Sequence, residues 1–133
     1  MKNKILIPFS KPFQLDYAVV EKKLSRVLKS SQWSKGKYLD EFERAFAKYL
    51  GVKHAVAVSS CTSGLTLVLA SLNKPGEVIV PGFAFPAVAN AVVWSGLKPV
   101  FVDVDPIYGN IDPLQVERVL TKKTVAILPV CNY

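Results

Sequence analysis

The sequence predicts a three-layer α/β fold, helices over both faces of a mostly parallel sheet. Three observations point there. Near-continuous apolar runs such as "EVIVP" (Glu77–Pro81) and "TVAILPV" (Thr124–Val130) read as strands buried on both faces. Stretches with apolar residues at helical spacing lie between them. The connections are short and punctuated by Pro, Gly, Asn and Asp. Strand and helix alternating in this way imply parallel strands joined by right-handed crossovers.

Residues 1–15, with Pro8 and Pro12, read as an extended lead-in. Asp16 to Lys29 is predicted helical, with Val20, Leu24, Val27 and Leu28 on one side. "SSQWSKGK" (Ser30–Lys37) is a polar loop. A second helix runs from Leu39 to Leu50, its stripe formed by Leu39, Phe42, Phe46, Tyr49 and Leu50. Gly51 stands where a helix end favours a left-handed residue. Alternation then begins. His54–Ser59 is predicted as a strand and Thr62–Leu72 as a helix. Glu77–Pro81 follows as a strand, and Pro86–Ser95 as a helix with Pro at its start and Gly96 after its end. Lys98–Val104 is a strand. Asp112, Pro113 and Gln115 form the start of a helix to about Leu120, with Gln115 expected to complete a capping box. Thr124–Val130 is the fourth strand. The chain thus divides into a helical lead-in, 1–53, and a βαβαβαβ sheet segment, 54–133. A parallel strand feeds a further crossover, so the sequence reads as the front portion of a longer protein.

The composition, 50% apolar and 20% charged, is that of a globular chain rather than a disordered one. Seventeen basic against ten acidic residues give a net charge of +7. That balance favours anionic partners. The basic residues are scattered, however, and Lys122-Lys123 is the densest group, so no nucleic-acid footprint emerges. Cys61 and Cys131 are the only cysteines, a usage that fits a reducing, cytoplasmic setting. The apolar run Ile5–Ile7 is too short for a signal-peptide core. No segment reaches about 18 uninterrupted apolar residues, so no membrane span is expected.

Ligands on open parallel sheets bind beyond the carboxyl ends of the strands, which selects the loops after Ser59, Pro81, Val104 and Val130. In "SSCTSGL" (Ser59–Leu65) small hydroxyl residues precede a helix. The first amides of a helix lack intrahelical acceptors and carry partial positive charge. The stretch is therefore either an anion site, most simply for a phosphate, or a plain cap supplied by Ser60 or Thr62. Neither a G-x-G-x-x-G nor a G-x-x-x-x-G-K-[ST] motif occurs. In "PGFAFPA", Phe83 and Phe85 precede a helix; either could lie on a planar ligand, and either could be core. Asp103 and Asp105 read as turn and capping residues, being too few for a metal site. His54, the only histidine, offers neither a triad nor a metal site and reads as structural.

Taken in order, "LDEFERAFAKYLGVKHAVAVSSCTSGLTLVLASL", "EVIVPGFAFPAVANAVVWSGLKPVFVDVDP", "NIDPLQVERVL" and "VAILPVCNY" resemble the front half of the DegT/DnrJ/EryC1/StrS aminotransferases, from Pro8 to Tyr133. The resemblance implies part of the large domain of a fold-type-I, aspartate-aminotransferase-like enzyme that uses pyridoxal 5'-phosphate. It implies Thr62 and Ser63 on the cofactor phosphate, Phe85 stacked on the ring, and Phe83 packed inward. Ala84 replaces the Thr usual in the family, and Cys131 replaces the His of its Val-His-x-Tyr-Gly motif. Ser34 and Gly36 lie in a stretch whose family counterpart approaches the active site, which makes them candidates for substrate contact. The family's pyridine-pairing Asp and Schiff-base Lys match no residue of this chain, so no catalytic residue is assigned and the 133 residues alone are expected to be inactive. The complete enzyme is expected to be a homodimer that aminates a nucleotide-diphosphate keto sugar from an amino-acid donor, glutamate. Two alternatives remain open at this level: a dehydratase of the same family, and a non-enzymatic α/β module that binds a phosphate or nucleic acid.

Overall fold

The computed structural model of the chain describes residues 13–132. The lead-in read for residues 1–15 falls largely on 1–12, outside that range, as does Tyr133. Two compact units divide between Ala57 and Val58.

In the first unit, α1 spans Tyr17–Ser30 and α2 spans Lys37–Leu50. Asp16 caps α1 by accepting from the amides of Ala18 and Val19. Gly51, at φ 69°, ends α2 in the left-handed conformation, and its N–H reaches the Ala47 and Lys48 carbonyls. The apolar stripes predicted for both helices exist but are open. Val20, Leu24, Leu28, Phe42, Phe46 and Tyr49 are all exposed, and Ala47 is the one buried residue of the pair. Phe42 and Phe46 stack with centroids 5.6 Å apart.

The second unit holds α3 (Cys61–Ala70), β1 (Glu77–Pro81), α4 (Ala87–Trp94), β2 (Lys98–Val102), α5 (Pro113–Val119) and β3 (Thr124–Ile127). The sheet is parallel with order β2-β1-β3. Glu77 pairs with Lys98 on one side and Thr124 on the other. β1 is central, and Val78, Ile79 and Val80 are fully buried. Successive strand residues face opposite sides, so both faces of β1 are covered, as its unbroken apolar run requires. Val78 and Val80 join Leu69 of α3, Ala91 and Val92 of α4, and Leu97 in one core cluster. Each Val and Leu side chain among them contributes about 1.5–3 kcal/mol by leaving water. Gly76 is compelled by close approach: a Cβ there would overlap Val125 and lie 2.8 Å from the Lys123 carbonyl.

Four expectations need correction. His54–Ser59 is not a strand. Its burial alternates, with Ala55 and Ala57 half-buried and Val56 and Val58 exposed, but no strand among the described residues pairs with it. Alternation records which side is covered; a strand also needs a neighbour to complete its hydrogen bonds. Among the described residues the sheet therefore has three strands, not four. β3 ends at Ile127, although Leu128 still donates to the Ile79 carbonyl at 2.9 Å. Gln115 makes no side-chain bond to Asp112; the Asp112 N–H that a capping box would use already donates to the Asp103 carbonyl at 3.3 Å. Asp112 alone caps α5, accepting from Leu114 at 2.9 Å. Finally, Phe83 does not pack inward and is 59% exposed.

Candidate functional site

Chain order sets the candidate site at one edge of the sheet. α3 feeds the start of β1 through Ser71–Gly76, and α4 leaves the end of β1 through Gly82–Pro86. Both helices therefore begin at the carboxyl edge, where the loops after β2 and β3 also lie. α3 and α4 pack together, and the Ser95 hydroxyl donates to the Thr66 carbonyl at 3.1 Å.

Of the capping options at the start of α3, the structure selects Ser60. Its Oγ accepts from the Ser63 N–H at 3.1 Å and lies 2.9 Å from the Ser63 Oγ, which is 3.3 Å from the Ser59 Oγ. The Gly64 N–H donates to the Ser60 carbonyl at 3.1 Å. This leaves the amides of Cys61 and Thr62 without an acceptor among the described residues. Thr62 spends its carbonyl on the Thr66 hydroxyl at 2.9 Å and keeps its own hydroxyl uncommitted there. Two unsatisfied amides at the positive end of a ten-residue helix, ringed by hydroxyls, fit a phosphate dianion. Capping and anion binding are thus compatible: Ser60 takes one amide and leaves two.

Phe85 is 78% exposed at the other helix start. Its carbonyl accepts from the Val88 N–H at 3.0 Å, which builds it into the first turn of α4. The Phe83 ring comes within 3.9 Å of where a Cβ on Gly109 would stand, so Phe83 covers the neighbouring loop. In that loop, Asp105 Oδ1 accepts from the Ile107 and Tyr108 amides at 2.8 and 2.9 Å. Its acidity is used on a turn, as expected. Among the described residues no cluster of His, Cys, Asp and Glu could hold a metal ion. His54 is exposed, and Cys61 and Cys131 are exposed thiols. Ser34 and Gly36 line a recess of about 460 Å³ between α1 and α2, with Arg26, Trp33 and Tyr38.

One pair of residues escaped the sequence reading. Asn132, after β3, donates through Nδ2 to the carbonyls of Gly109 at 2.9 Å and Phe83 at 3.4 Å. Its backbone N–H donates to Asn110 Oδ1 at 2.8 Å. These partners lie 22 to 49 residues away, beyond the reach of any local pattern. At the opposite edge, Lys98 bonds Glu77 at 3.1 Å and holds its carboxyl below the usual range.

The model of the DegT/DnrJ/EryC1/StrS aminotransferase family matches residues 17–133. Among curated proteins, the spore coat polysaccharide biosynthesis protein SpsC of Bacillus subtilis (strain 168) is 39% identical over 131 residues, covering 97% of this chain and 33% of SpsC. Among solved structures, DesI in the presence of its TDP-sugar product matches with a TM-score of 0.74 and 42% identity, covering 89% of this chain and 30% of that one. The E. coli GDP-4-keto-6-deoxy-D-mannose-3-dehydratase with bound hydrated PLP gives a TM-score of 0.78 at 32% identity, with 92% and 33% covered. The chain spans about a third of the length of the curated relatives it matches. Motif order, parallel sheet and family match agree: this chain belongs to the DegT/DnrJ/EryC1/StrS aminotransferase family.

Proposed function

We propose that this chain is part of a pyridoxal-phosphate-dependent aminotransferase that moves an amino group from an amino-acid donor, glutamate, to a nucleotide-linked keto sugar, working as a cytoplasmic homodimer. The observation that carries the reading is the start of α3, where the Cys61 and Thr62 amides lack acceptors beside a cluster of hydroxyls. Thr62 and Ser63 hold the cofactor phosphate there. Phe85, open to solvent on the adjacent helix start, covers one face of the pyridine ring. Ser34 and Gly36, in the α1–α2 loop, contact substrate, and the basic Arg26 and Lys35 beside them suit its diphosphate. When bound, the cofactor supplies the electron sink for amino-group transfer; these residues bind and orient it.

A ligand pair tests the assignment. Pyridoxamine phosphate, followed by its fluorescence, forms no imine with surface lysines, and pyridoxamine lacks only the phosphate. Thr62→Val and Ser63→Ala are each expected to weaken pyridoxamine phosphate about tenfold, the scale of a lost hydrogen bond to a charged group, and to leave pyridoxamine binding unchanged. Phe85→Ala should weaken both ligands alike. If the Thr62 and Ser63 variants weaken both ligands equally, the phosphate lies elsewhere.

A second reading, a sugar dehydratase, is favoured by the likeness to the E. coli 3-dehydratase. It uses the same three cofactor contacts, so the ligand test holds for either reaction. Assay of the complete enzyme for amino transfer against loss of water separates them.

A further inference from the structure

Three loops meet at the carboxyl edge, and one side chain joins them. Asn132 follows β3. Its Nδ2 bonds the Phe83 carbonyl in the loop after β1 and the Gly109 carbonyl in the loop after β2. Its backbone N–H bonds the side chain of Asn110. Both partners of the amide group are carbonyl oxygens, so only the donating end of Asn132 can face them. The far loop is itself fixed: the Asp105 N–H donates to the Asn110 carbonyl and the Gly109 N–H to the Asp105 carbonyl, each at 2.8 Å. Rigidity therefore passes from the Asp105 turn, through Asn132, to Phe83, two residues before Phe85.

We propose that Asn132 is a positioning residue that fixes the Gly82–Pro86 loop, and with it the Phe85 ring, for a planar phosphorylated ligand. The ligand half of this proposal rests on the cofactor reading above; the tie itself does not. Asn132 gains nothing from its own contact with the ligand and acts only by holding Phe85.

Two near-isosteric substitutions in the full chain read the direction of the bonds. Asn132→Asp turns two donors into acceptors facing carbonyl oxygens. Asn110→Asp keeps the acceptor that the Asn132 N–H uses. Hydrogen exchange by mass spectrometry is expected to speed up over Gly82–Asn90 in Asn132→Asp and stay as in the native chain in Asn110→Asp. The dissociation constant of pyridoxamine phosphate should rise about tenfold in the first and stay within about twofold in the second. In a Phe85→Ala background, Asn132→Asp should weaken the ligand no further, whereas a merely structural residue would add its effect. Native exchange over Gly82–Asn90 in Asn132→Asp, or full additivity with Phe85→Ala, overturns the proposal. If the native chain takes up no pyridoxamine phosphate, the cofactor reading and the ligand half fall together, and the exchange data decide the tie alone. Should Asn132→Asp lose protection throughout β1, Asn132→Ser carries the same comparisons without adding a charge.

Discussion

Glu77 is a carboxyl whose ionisation is set by its neighbours. The Lys98 ammonium, hydrogen-bonded at 3.1 Å, lowers its pKa; burial opposes that, and the Lys98 charge, the Thr121 hydroxyl and Lys123 add to the lowering. Folding thus makes this carboxyl a stronger acid, and the unfolded chain takes up the proton first. The resulting stabilisation is complete above the unfolded glutamate value, about 4.3, and is lost as pH falls through the lower folded value. Glu77→Gln is therefore expected to melt below the native chain at pH 7, with the gap closing as pH drops below the unfolded value. Circular dichroism melts between pH 3 and pH 7 check this, and a gap constant across the range would remove the ion pair from the account. The residue scale is also where the site was hardest to read. Ser60 and Thr62 were equal candidates for the cap, because both have the hydroxyl that capping needs. Only the geometry assigns the role to Ser60 and leaves the Thr62 amide available.

Among elements, every predicted helix is present, with ends moved by two residues or fewer. Helix signals are local: Asp112 as a cap, Pro113 in the first turn, Gly51 past the end. Strands depend on partners elsewhere in the chain, and there the reading was uneven. "EVIVP" succeeded because full burial marks a central strand. "HAVAVS" failed because alternate covering of a small-and-branched apolar run occurs here in a segment with no ladder among the described residues. The bonding of this segment makes a prediction. The Ala57 N–H donates to Glu43 Oε1 at 2.8 Å, and no other amide from Ala55 to Val58 has an acceptor among the described residues. Ala55, Val56 and Val58 are expected to exchange with solvent much faster than Val78–Val80, with Ala57 slower than its neighbours. Residue-resolved exchange measures this; protection of all four at the level of β1 would mean that a pairing partner exists.

At the scale of the whole molecule, each unit presents apolar surface to water. The first shows Val20, Leu24, Leu28, Phe42, Phe46 and Tyr49; the second shows Leu67, Val68, Val93, Trp94 and Phe101. Exposed apolar side chains in such number favour association, and the outer edges of β2 and β3 invite further pairing. Light scattering is expected to give a mass above 14.6 kDa that rises with concentration. Phe46→Ser should reduce the rise, and a constant monomer mass would show that water tolerates these faces. The charge of +7 slows such growth at low salt, so added salt should promote it. The serine lattice at the head of α3 has a consequence of another kind. Because Ser59, Ser60 and Ser63 already brace one another, a dianion bound there as proposed would meet a finished receptacle and would have only to exchange solvent for the two waiting amides and the hydroxyls beside them. Loading on that reading is docking into a preformed seat, with little ordering entropy left to spend and no slow reshaping step to limit its rate.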